Sequence, residues 1–261
     1  MVVVITGASK GIGAELARKM ALKGAKLVLA ARSEKDLEAV AEECRALGAS
    51  ALSVKADVAL ERDCQTIVAA ARLAFGRIDV LVNNAGMSMW ARFEDIEDVS
   101  ILERIMQVNY MGAVYCTHYA LPHLRETRGR LVGISSIAGR VGVPTRTGYS
   151  AAKHAMVGFF DSLRIELAGS GVSVTMIYPG FVATGIRENA AGPDGKPILV
   201  SPVKEGEVMS VEECARRIVR AIEAREREVV MTARGKIGLW LKLLAPSLVD
   251  RIARRAIERG R

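Results

Sequence analysis

The sequence predicts an α/β fold built on a doubly wound parallel sheet with helices on both faces. Two observations predict it. Short aliphatic runs alternate with longer segments of helical periodicity along most of the chain. The aliphatic runs are apolar along their whole length, as expected of strands that helices cover on both sides. With 261 residues, half of them apolar, the chain can bury one sizeable core, so we expect a single domain over residues 1–261.

The first part of the chain, about residues 1–110, contains three strand–helix units and a fourth strand. The strands are predicted where aliphatic residues follow one another without a break, at residues 2–6, 26–31, 51–55 and 79–83. The helices are predicted where apolar residues recur three and four positions apart, at residues 12–22, 34–47 and 61–75.

The second part, about residues 111–183, continues the alternation. A long predicted helix over residues 101–124 leads into it. Its further predicted elements are a strand at 130–135, a helix at 149–168 and a strand at 172–178. Gly112 interrupts the long helical segment, and we expect a bend near it.

The alternation stops at a long irregular segment, residues 184–209. This segment is rich in Gly and Pro and contains the turn Pro193-Asp194-Gly195, so we expect a loop that covers a binding site. A helix at residues 211–224 and a last strand at residues 228–231 follow it.

The basic charge of the chain is concentrated at its end. The formal net charge is +8, and residues 234–261 carry eight Lys and Arg against Asp250 and Glu258, which accounts for six of the eight excess charges. Apolar residues lie beside the basic ones, which predicts an amphipathic helical extension that Pro246 interrupts. No nucleic-acid-binding motif accompanies the basic residues, so we expect no nucleic-acid partner.

The cysteines and the beginning of the sequence indicate an intracellular protein. The four cysteines are widely separated and share no metal-ligand spacing with one another or with the three histidines, so we expect free thiols and no metal site. Met1 leads directly into the first strand without a signal peptide, and no apolar stretch is long enough to span a bilayer. We therefore expect a cytoplasmic protein.

A glycine-rich turn joins the first strand to the first helix. Gly7, Gly11 and Gly13 occur in the run Thr6-Gly7-Ala8-Ser9-Lys10-Gly11-Ile12-Gly13. Because glycine has no Cβ, backbone can approach a pyrophosphate closely, and the N–H groups of the helix start face the anion. An ordinary tight turn also uses glycine, but the place of this trio in the first strand–helix unit favours a Rossmann-like dinucleotide site.

Ser136, Tyr149 and Lys153 form the pattern Ser-x12-Tyr-x3-Lys. Tyr149 and Lys153 share one face of the predicted helix. An ammonium nearby favours a phenolate, so the tyrosine can give a proton to a carbonyl oxygen or take one from an alcohol. Ser136 can hydrogen-bond the substrate oxygen as negative charge develops there. Such a pair alone is common on helix surfaces, but behind a nucleotide turn it predicts hydride-transfer chemistry.

These motifs together resemble the short-chain dehydrogenase/reductase family. The family's order is found over about residues 2–185, in the Gly-x3-Gly-x-Gly spacing, the run Asn83-Asn84-Ala85-Gly86, Asn109, the Ser-Tyr-Lys pattern, and Pro179-Gly180 with Thr184. The resemblance implies a catalytic tetrad of Asn109, Ser136, Tyr149 and Lys153. One departure is Ala152, where many relatives carry Ser, and we expect no effect on the chemistry.

The resemblance also implies roles for single residues. Lys153 would hold the nicotinamide ribose hydroxyls, Asn109 a water of a proton relay, and Thr184 the nicotinamide amide. Asp57 resembles the family's adenine contact, although it could instead cap the following helix. The implied cofactor contacts are Gly7, Ser9, Lys10, Gly11, Ile12, Gly13, Arg32, Asp57, Val58, Asn84, Ala85, Gly86, Tyr149, Lys153, Pro179, Gly180, Val182 and Thr184.

The residues after the second strand favour NADP(H) over NAD(H). An acidic residue at the end of this strand would bind the ribose 2′-hydroxyl and repel a 2′-phosphate. Here the strand ends in Ala30-Ala31-Arg32, without an acid. Arg32 offers a planar fork of donors to a phosphate, and Lys10 adds a second positive charge, unless both are only solvated surface charges.

The loop at residues 184–209 is expected to close over an apolar substrate at the carboxyl ends of the strands. Apolar residues of this loop and of the segment after the fourth strand would form the walls, or would only pack the loops. They are Met87, Met89, Trp90, Phe93, Ile186, Ile198, Leu199, Val200 and Val203.

The basic extension has four interpretations: peripheral membrane contact, an oligomer contact, a flap over the substrate, or packing against its own domain with a solvated basic face. The family resemblance implies a homodimer or homotetramer, formed through the long helices after the fourth and fifth strands.

We expect an NADP(H)-dependent oxidoreductase that transfers a hydride between nicotinamide and a ketone or secondary alcohol, with an apolar or lipid-like substrate. Residues 1–110 would be its nucleotide-binding half, 111–183 its catalytic half and 184–209 its substrate loop. A 3-oxoacyl thioester on an acidic carrier protein is an alternative substrate, and a non-catalytic nucleotide-sensing protein is an alternative function. The complete tetrad argues against sensing, because sensing needs no proton donor.

Overall fold

The computed structural model describes residues 1–201 and 208–258 and is built around a seven-stranded sheet. All of its strand pairs are parallel, in the order β3-β2-β1-β4-β5-β6-β7. The strands are β1 Val2–Thr6, β2 Lys26–Ala31, β3 Ala51–Lys55, β4 Val80–Asn83, β5 Arg130–Ile134, β6 Ser173–Tyr178 and β7 Glu228–Val230. Each strand lies within one residue of its predicted bounds, and the predicted doubly wound parallel sheet is confirmed.

Helices cover both faces of this sheet. They are α1 Gly11–Ala21, α2 Glu34–Ala46, α3 Glu61–Phe75, α4 Ser100–Met106, α5 Gly112–Thr127, α6 Thr147–Glu166, α7 Val211–Ala224, α8 Ala233–Leu244 and α9 Pro246–Glu258. The buried residues of α1, α2 and α7 form one core against the sheet, and those of α3, α5 and α6 form the other. The sheet therefore lies between two apolar layers.

The central strand β1 shows why the strands are apolar throughout. Its five residues are all buried. Val3 and Ile5 belong to the core of α1, α2 and α7, whereas Val4 belongs to the core on the opposite face. Because successive strand residues point to opposite faces, a sheet buried on both sides needs apolar residues at every position.

The predicted long helix over residues 101–124 is not continuous. A five-residue π-helical segment, Gln107–Met111, separates α4 from α5. The side-chain amide of Asn109 donates to the carbonyl of Ile105, 2.9 Å away. In a regular α-helix that carbonyl would accept from the N–H of residue 109, so the side chain competes for a backbone acceptor. The wider turn ends at Gly112, where a Cβ would lie 2.8 Å from Cγ2 of Val58.

The irregular segment after β6 is held to the rest of the domain by backbone hydrogen bonds. The N–H of Ala191 donates to Ser88 and the N–H of Trp90 donates to Ala191, at 2.9 and 2.8 Å. Near the end of this segment, Met209 pairs with Phe181 and Ala183. The described part of the loop is therefore attached to the segment that follows β4. Val203 lies outside the described residues.

The basic extension forms two helices, as the sequence predicted. α8 and α9 meet at Ala245, and Pro246 is the first residue of α9. Proline fits the first turn of a helix, where its missing N–H would have no partner, and it cannot continue the preceding one. Among the helices that the structure describes, none is both long and apolar enough to cross a membrane.

Candidate active site

A cavity of about 900 Å³ opens at the carboxyl ends of the strands. It extends from the glycine turn after β1 to the segment after β6. The strand order reverses between β1 and β4, and the crevice at such a reversal is the usual ligand site of an open α/β sheet. Within the described residues, no group of three His, Cys, Asp or Glu side chains is placed to hold a metal ion.

The glycine turn forms one end of the cavity. Gly7 and Gly11 have φ of +65° and +56°, a conformation that favours glycine. A Cβ on Gly7 would lie 2.7 Å from Cα of Ala85, and a Cβ on Gly13 would overlap the carbonyl oxygen of Gly7. The side chain of Lys10, the residue before α1, makes no capping hydrogen bond within the described residues. The turn therefore has the close backbone packing and the open helix start that a pyrophosphate requires.

The run after β4 holds this turn in place. The amide Nδ2 of Asn84 donates to the carbonyls of Thr6 and Gly7, at 2.9 and 3.1 Å. The hydroxyl of Thr6 in turn accepts from the N–H groups of Asn84 and Ala85. Asn84 lines the cavity as a candidate cofactor contact, but its amide nitrogen positions the turn. This role of Thr6 was not expected from the sequence, although its place at the strand end, directly before Gly7, was an available signal.

The segment after β6 closes the cavity from the other side. A Cβ on Gly11 would lie 3.1 Å from Cγ2 of Thr184, so Thr184 lies against the glycine turn. Pro179, Gly180 and Val182 also line the cavity. The structure thus brings these four candidate cofactor contacts to the same cavity as the glycines.

Asp57 does not cap α3. Its Oδ1 accepts from the N–H of Ala59, 3.0 Å away, and its carbonyl accepts from Leu60, which directly precedes the helix. The carboxylate therefore closes a tight turn between β3 and α3. Both Asp57 and Val58 line the cavity, near the end of β2.

The corner after β2 carries two cations and one carboxylate. Arg32 is exposed, lines the cavity, and has no ion pair within the described residues. Lys10 forms an ion pair with Asp36, at 2.8 Å. This ion pair and a hydrogen bond from the Ser33 hydroxyl hold the pKa of Asp36 below its usual range. Asp36, which lies across the cavity corner from the glycine turn, was not expected from the sequence. Because the pair is at the surface, a phosphate can exchange with Asp36 at little cost.

Tyr149 and Lys153 lie on one face of α6 at the inner end of the cavity. Both are buried, with 7 % and 4 % of their surfaces exposed. The Nζ of Lys153 is 5.8 Å from the ring centre of Tyr149 and donates to the carbonyl of Ile134 at the end of β5, 2.9 Å away. Burial lowers the pKa of Lys153 to about 8. The ammonium is thus oriented by a backbone carbonyl and still carries its charge at neutral pH.

The two serines after β5 have different environments. The hydroxyl of Ser135 is directed at the carbonyl of Lys153, 3.4 Å away, inside the domain. The hydroxyl of Ser136 accepts from the N–H of Ala138, at 3.2 Å, where a short 3₁₀ turn begins. Ser136 and Tyr149 line the same cavity, so the hydroxyl of Ser136 is a donor available to a substrate oxygen.

Asn109 lies close to this group but behind Gly86. Its Nδ2 donates to the carbonyls of Met87 and Ile105, both at 2.9 Å. Its Oδ1 is buried and accepts no hydrogen bond from any residue that the structure describes. A Cβ on Gly86 would lie 2.7 Å from this oxygen and 3.6 Å from Nζ of Lys153. The oxygen and the ammonium therefore both lie close to Gly86, on the side where a Cβ would be.

Two buried arginines near Tyr149 were not expected from the sequence. Arg146 and Arg187 line the cavity with 7 % and 2 % of their surfaces exposed. The guanidinium of Arg146 is 5.0 Å from the ring centre of Tyr149, and it donates to the hydroxyl of Ser88 at 3.0 Å. Arg187 donates to the hydroxyl of Ser201 and to the carbonyl of Val182. No sequence pattern pointed to either residue, because Arg146 precedes α6 and Arg187 lies in the irregular segment after β6.

Few of the apolar residues proposed as substrate walls face the cavity. Of these residues, Met87 and Ile186 line the cavity. Phe181, which was not among the predicted wall residues, lines it as well. Met89 is instead buried in a small core with Tyr149, and Phe93 is 62 % exposed. The alternative that such residues only pack loops therefore holds for Met89.

A glycine turn of this kind and a Tyr–Lys pair at the carboxyl ends of one doubly wound sheet define an oxidoreductase of the dinucleotide-binding class. The family model for short chain dehydrogenases matches residues 1–193. The chain belongs to the short-chain dehydrogenase/reductase family, as the resemblance of its motifs predicted.

Curated relatives extend the similarity beyond the matched residues. An 11-beta-hydroxysteroid dehydrogenase A of Sesamum indicum is 38 % identical over 259 residues, which cover 97 % of this chain and 74 % of the relative. A dehydrogenase/reductase SDR family protein 7-like of Dictyostelium discoideum is 37 % identical over 255 residues, or 95 % of this chain and 79 % of the relative.

Solved structures show the same fold. A short-chain dehydrogenase/reductase from Burkholderia phymatum in complex with NAD superposes with a TM-score of 0.86 at 28 % identity, covering 95 % of this chain and 94 % of that one. An alcohol dehydrogenase from the archaeon Thermococcus sibiricus, complexed with 5-hydroxy-NADP, has a TM-score of 0.75 at 26 % identity, covering 87 % and 94 %. Structures of this fold thus bind both cofactor types, and the two comparisons do not select one.

Proposed function

We propose that the protein is an NADP(H)-dependent oxidoreductase that transfers a hydride between nicotinamide and a ketone or secondary alcohol. One observation carries this proposal: Tyr149, Lys153 and Ser136 border the same cavity as the glycine turn. The buried oxygen of Asn109 lies beside the ammonium of Lys153 and completes the set. A proton donor and a dinucleotide cradle in one cavity favour reduction of a carbonyl over nucleotide sensing.

The residues present fit the cofactor. The glycine turn and the start of α1 would hold the pyrophosphate, and Asp57 and Val58 the adenine end. Arg32 would bind the 2′-phosphate with Lys10, once Lys10 exchanges its surface partner Asp36. When bound there, NADPH would supply the hydride that the carbonyl carbon receives and would leave as NADP⁺. The remaining cofactor contacts would lie in the segment of Pro179 to Thr184.

The side chains divide the proton chemistry between them. The Tyr149 hydroxyl gives its proton to the carbonyl oxygen during reduction, and its phenolate takes one from the alcohol during oxidation. The hydroxyl of Ser136 donates a hydrogen bond to the same oxygen while negative charge develops there. Lys153 stabilises the phenolate as long as it is protonated, and the Asn109 oxygen holds a hydroxyl or water beside it.

The proposed substrate is an apolar or lipid-like ketone or secondary alcohol. Met87, Phe181 and Ile186 give the cavity an apolar wall beside Tyr149. The names of the plant relatives refer to hydroxysteroids, which belong to the same chemical class. A 3-oxoacyl thioester on an acidic carrier protein is the alternative substrate, favoured by the basic surface of the chain.

We also propose a cytoplasmic homo-oligomer whose extension contacts membrane surfaces. The two helices of the extension expose Trp240, Leu243 and Leu244, each more than 70 % accessible, beside basic residues. A solvent-exposed apolar face next to cations suits the boundary of an anionic bilayer.

The test is NADPH oxidation by the purified full chain over a panel of aliphatic, aromatic and steroid ketones and 3-oxoacyl thioesters, repeated with NADH. We expect ketone-dependent oxidation of NADPH at rates above those with NADH. Binding of NADPH without oxidation over the whole panel would favour the nucleotide-sensing alternative and reject the enzymatic proposal. Turnover of the thioesters alone would select the alternative substrate.

A further inference from the structure

Arg146 carries a buried charge that no carboxylate of the described residues neutralises. Only 7 % of its surface is exposed. Within the described residues, no Asp or Glu side chain lies within ion-pairing distance of its guanidinium. A buried ion without a counter-ion is strongly unfavourable, because the interior replaces only part of the lost hydration. The arrangement therefore calls for a function.

In place of a carboxylate, Arg146 contacts three aromatic rings and one hydroxyl. Its guanidinium lies 5.2, 5.0 and 5.8 Å from the ring centres of Trp90, Tyr149 and Phe181. Such cation–π contacts hold the plane of the group but leave its N–H donors in need of acceptors. The hydroxyl of Ser88 accepts from one of them, and the buried Nε finds no acceptor among the described residues.

Arg140, on the same loop, shows what a structural arginine of this chain does. Its guanidinium also lies over a ring, 5.2 Å from the centre of Tyr178. It additionally forms an ion pair with Glu228, at 3.0 Å. Arg140 thus has both a ring and a counter-ion, whereas Arg146 has rings and one hydroxyl but no counter-ion among the residues that the structure describes. The two arginines also differ in position, since of the two only Arg146 lines the cavity at Tyr149.

The charged groups that line the described cavity are unevenly distributed. The carboxylates of the lining are Asp36 and Asp57, both at the end where the glycine turn and β2 meet. The buried charged side chains of the described lining, Arg146, Lys153 and Arg187, are all cations, and the charged groups of Arg146 and Lys153 lie 5.0 and 5.8 Å from the ring centre of Tyr149. Burial lowers the pKa of Arg146, because the interior disfavours its charged form. An anion bound to the guanidinium would offset this cost of burial.

We infer that Arg146 binds an anionic group of the substrate, and that the preferred substrate is therefore an oxo acid or the corresponding hydroxy acid with an apolar body. A carboxylate can accept two parallel hydrogen bonds from a guanidinium. Because Arg146 stacks on the ring of Tyr149, the anionic group lies only a few bonds from the carbonyl that Tyr149 protonates. The apolar body packs against Met87, Phe181 and Ile186. This inference rests on the proposed function and narrows its substrate.

The test compares acids with their uncharged esters. The probes are 2-oxo-4-phenylbutanoate, 4-oxo-4-phenylbutanoate and 5-oxo-5-phenylpentanoate, each beside its methyl ester, with NADPH. The variants are Arg146→Met and Arg104→Met. Arg104 is an exposed cation at the edge of the same cavity and serves as the control. For wild type we expect kcat/KM at least about tenfold higher for one acid than for its ester, the effect of one charge-assisted hydrogen bond.

Arg146→Met is expected to lower kcat/KM for that acid by about 100-fold, mainly through KM, because the lost contact is made in the ground state as well. Turnover of the esters should change by less than about threefold, and Arg104→Met should leave both within that range. A loss that is equal for acids and esters would assign Arg146 to the support of Tyr149 and overturn the inference.

A binding measurement on the wild-type chain guards against misfolding of the variant. In calorimetric titration of the NADPH complex, 4-phenylbutanoate should bind at least about tenfold more tightly than 4-phenylbutanamide, again the effect of one charged contact. Equal affinities, or esters reduced as well as acids at every spacing, would refute the anion site while the proposed function stands. If neither acids nor neutral ketones are reduced, the proposed function fails, and this inference with it.

Discussion

Gly86 and Asn109 approach each other so closely that a methyl group has no room between them. A Cβ on Gly86 would lie 2.7 Å from Oδ1 of Asn109. This oxygen is held by the two hydrogen bonds that the other end of the same amide donates, to Met87 and to Ile105. A side chain at residue 86 would therefore displace the amide from the neighbourhood of Lys153.

Gly86→Ala is accordingly expected to lower kcat by about tenfold or more, and to destabilise the fold by about 1–3 kcal/mol through overpacking. Steady-state kinetics and urea unfolding measure the two effects. Gly158→Ala is the matched control, since a Cβ there meets nothing within 4 Å and the residue is exposed on α6. It should gain about 0.5–1 kcal/mol from helix propensity. A Gly86→Ala variant as active as Gly158→Ala would remove Asn109 from the proton path.

Tyr149→Phe keeps the ring and deletes the proposed proton donor. We expect turnover to fall by about 100-fold to 10,000-fold, the usual contribution of general acid catalysis. The dissociation constant of NADPH, measured by its fluorescence, should stay within about threefold, because the cradle is unchanged. Tyr119→Phe is the control. It deletes a hydroxyl on the surface of α5 that donates a hydrogen bond to the carboxylate of Glu61, 2.8 Å away. Substantial turnover by Tyr149→Phe would exclude the assigned role.

Arg32→Asp replaces the proposed phosphate ligand with the carboxylate that NAD(H) users carry. The ratio of kcat/KM for NADPH to that for NADH should fall by about 100-fold, since one charge-assisted contact is lost and one repulsion is gained. Lys35→Asp makes the same charge change at the second residue of α2, which is exposed, and should leave the ratio within about threefold. An unchanged ratio for Arg32→Asp would mean that Arg32 is a solvated surface charge.

Lys153→Met should inactivate the enzyme and stabilise the apoprotein. Burial lowers the pKa of Lys153 from 10.5 to about 8, so the unfolded chain binds the proton more tightly. Because of this group, the free energy of unfolding rises with pH between about 8 and 10.5. Below pH 8 the folded state carries the full cost of the buried ammonium. At pH 7 the variant should be about 1–3 kcal/mol more stable, after loss of the bond to Ile134. Its advantage should shrink towards pH 10.

Urea unfolding at pH 7 and pH 10 checks this prediction. A variant that is less stable at pH 7, or an advantage that does not change with pH, would show that the ammonium is not strained by burial.

The extension should attach the chain to anionic membranes. In flotation with vesicles of anionic phospholipid, we expect the wild type to rise with the lipid and the double variant Leu243→Asp, Leu244→Asp to remain below. Leu73→Asp is the control, because Leu73 is 91 % exposed on α3, outside the extension. Wild-type protein that never floats would leave the oligomer contact, the flap, or packing on its own domain as the role of α8 and α9.

The architecture was accessible from the sequence because it depends on local patterns. β1, β2, β4, β5 and β6 are mostly buried strands, so their aliphatic runs mark both ends. The π-helical segment was not accessible, because it depends on where the side chain of Asn109 finds its acceptors. Residues 101–124 have helical periodicity throughout, and periodicity does not reveal a turn widened by one residue.

The candidate site was partly accessible for the same reason. Tyr149 and Lys153 are related by helix spacing, and the glycines by a single turn. The pair between Lys10 and Asp36 joins two separate loops, and no local pattern predicts it. The burial of Arg146 depends on rings from three parts of the chain, Trp90, Tyr149 and Phe181. In the sequence alone, this arginine is an ordinary loop cation.

The amide of Asn84 has a consequence for ligand recognition. It bridges the carbonyls of Thr6 and Gly7, and these two hydrogen bonds within the protein fix the loop that would receive the pyrophosphate. A receptor preorganised in this way loses little conformational entropy on association, and selectivity then comes from the flexible side chains at its rim. Evolution of this scaffold towards another dinucleotide could therefore proceed at Arg32 and its neighbours without rebuilding the loop.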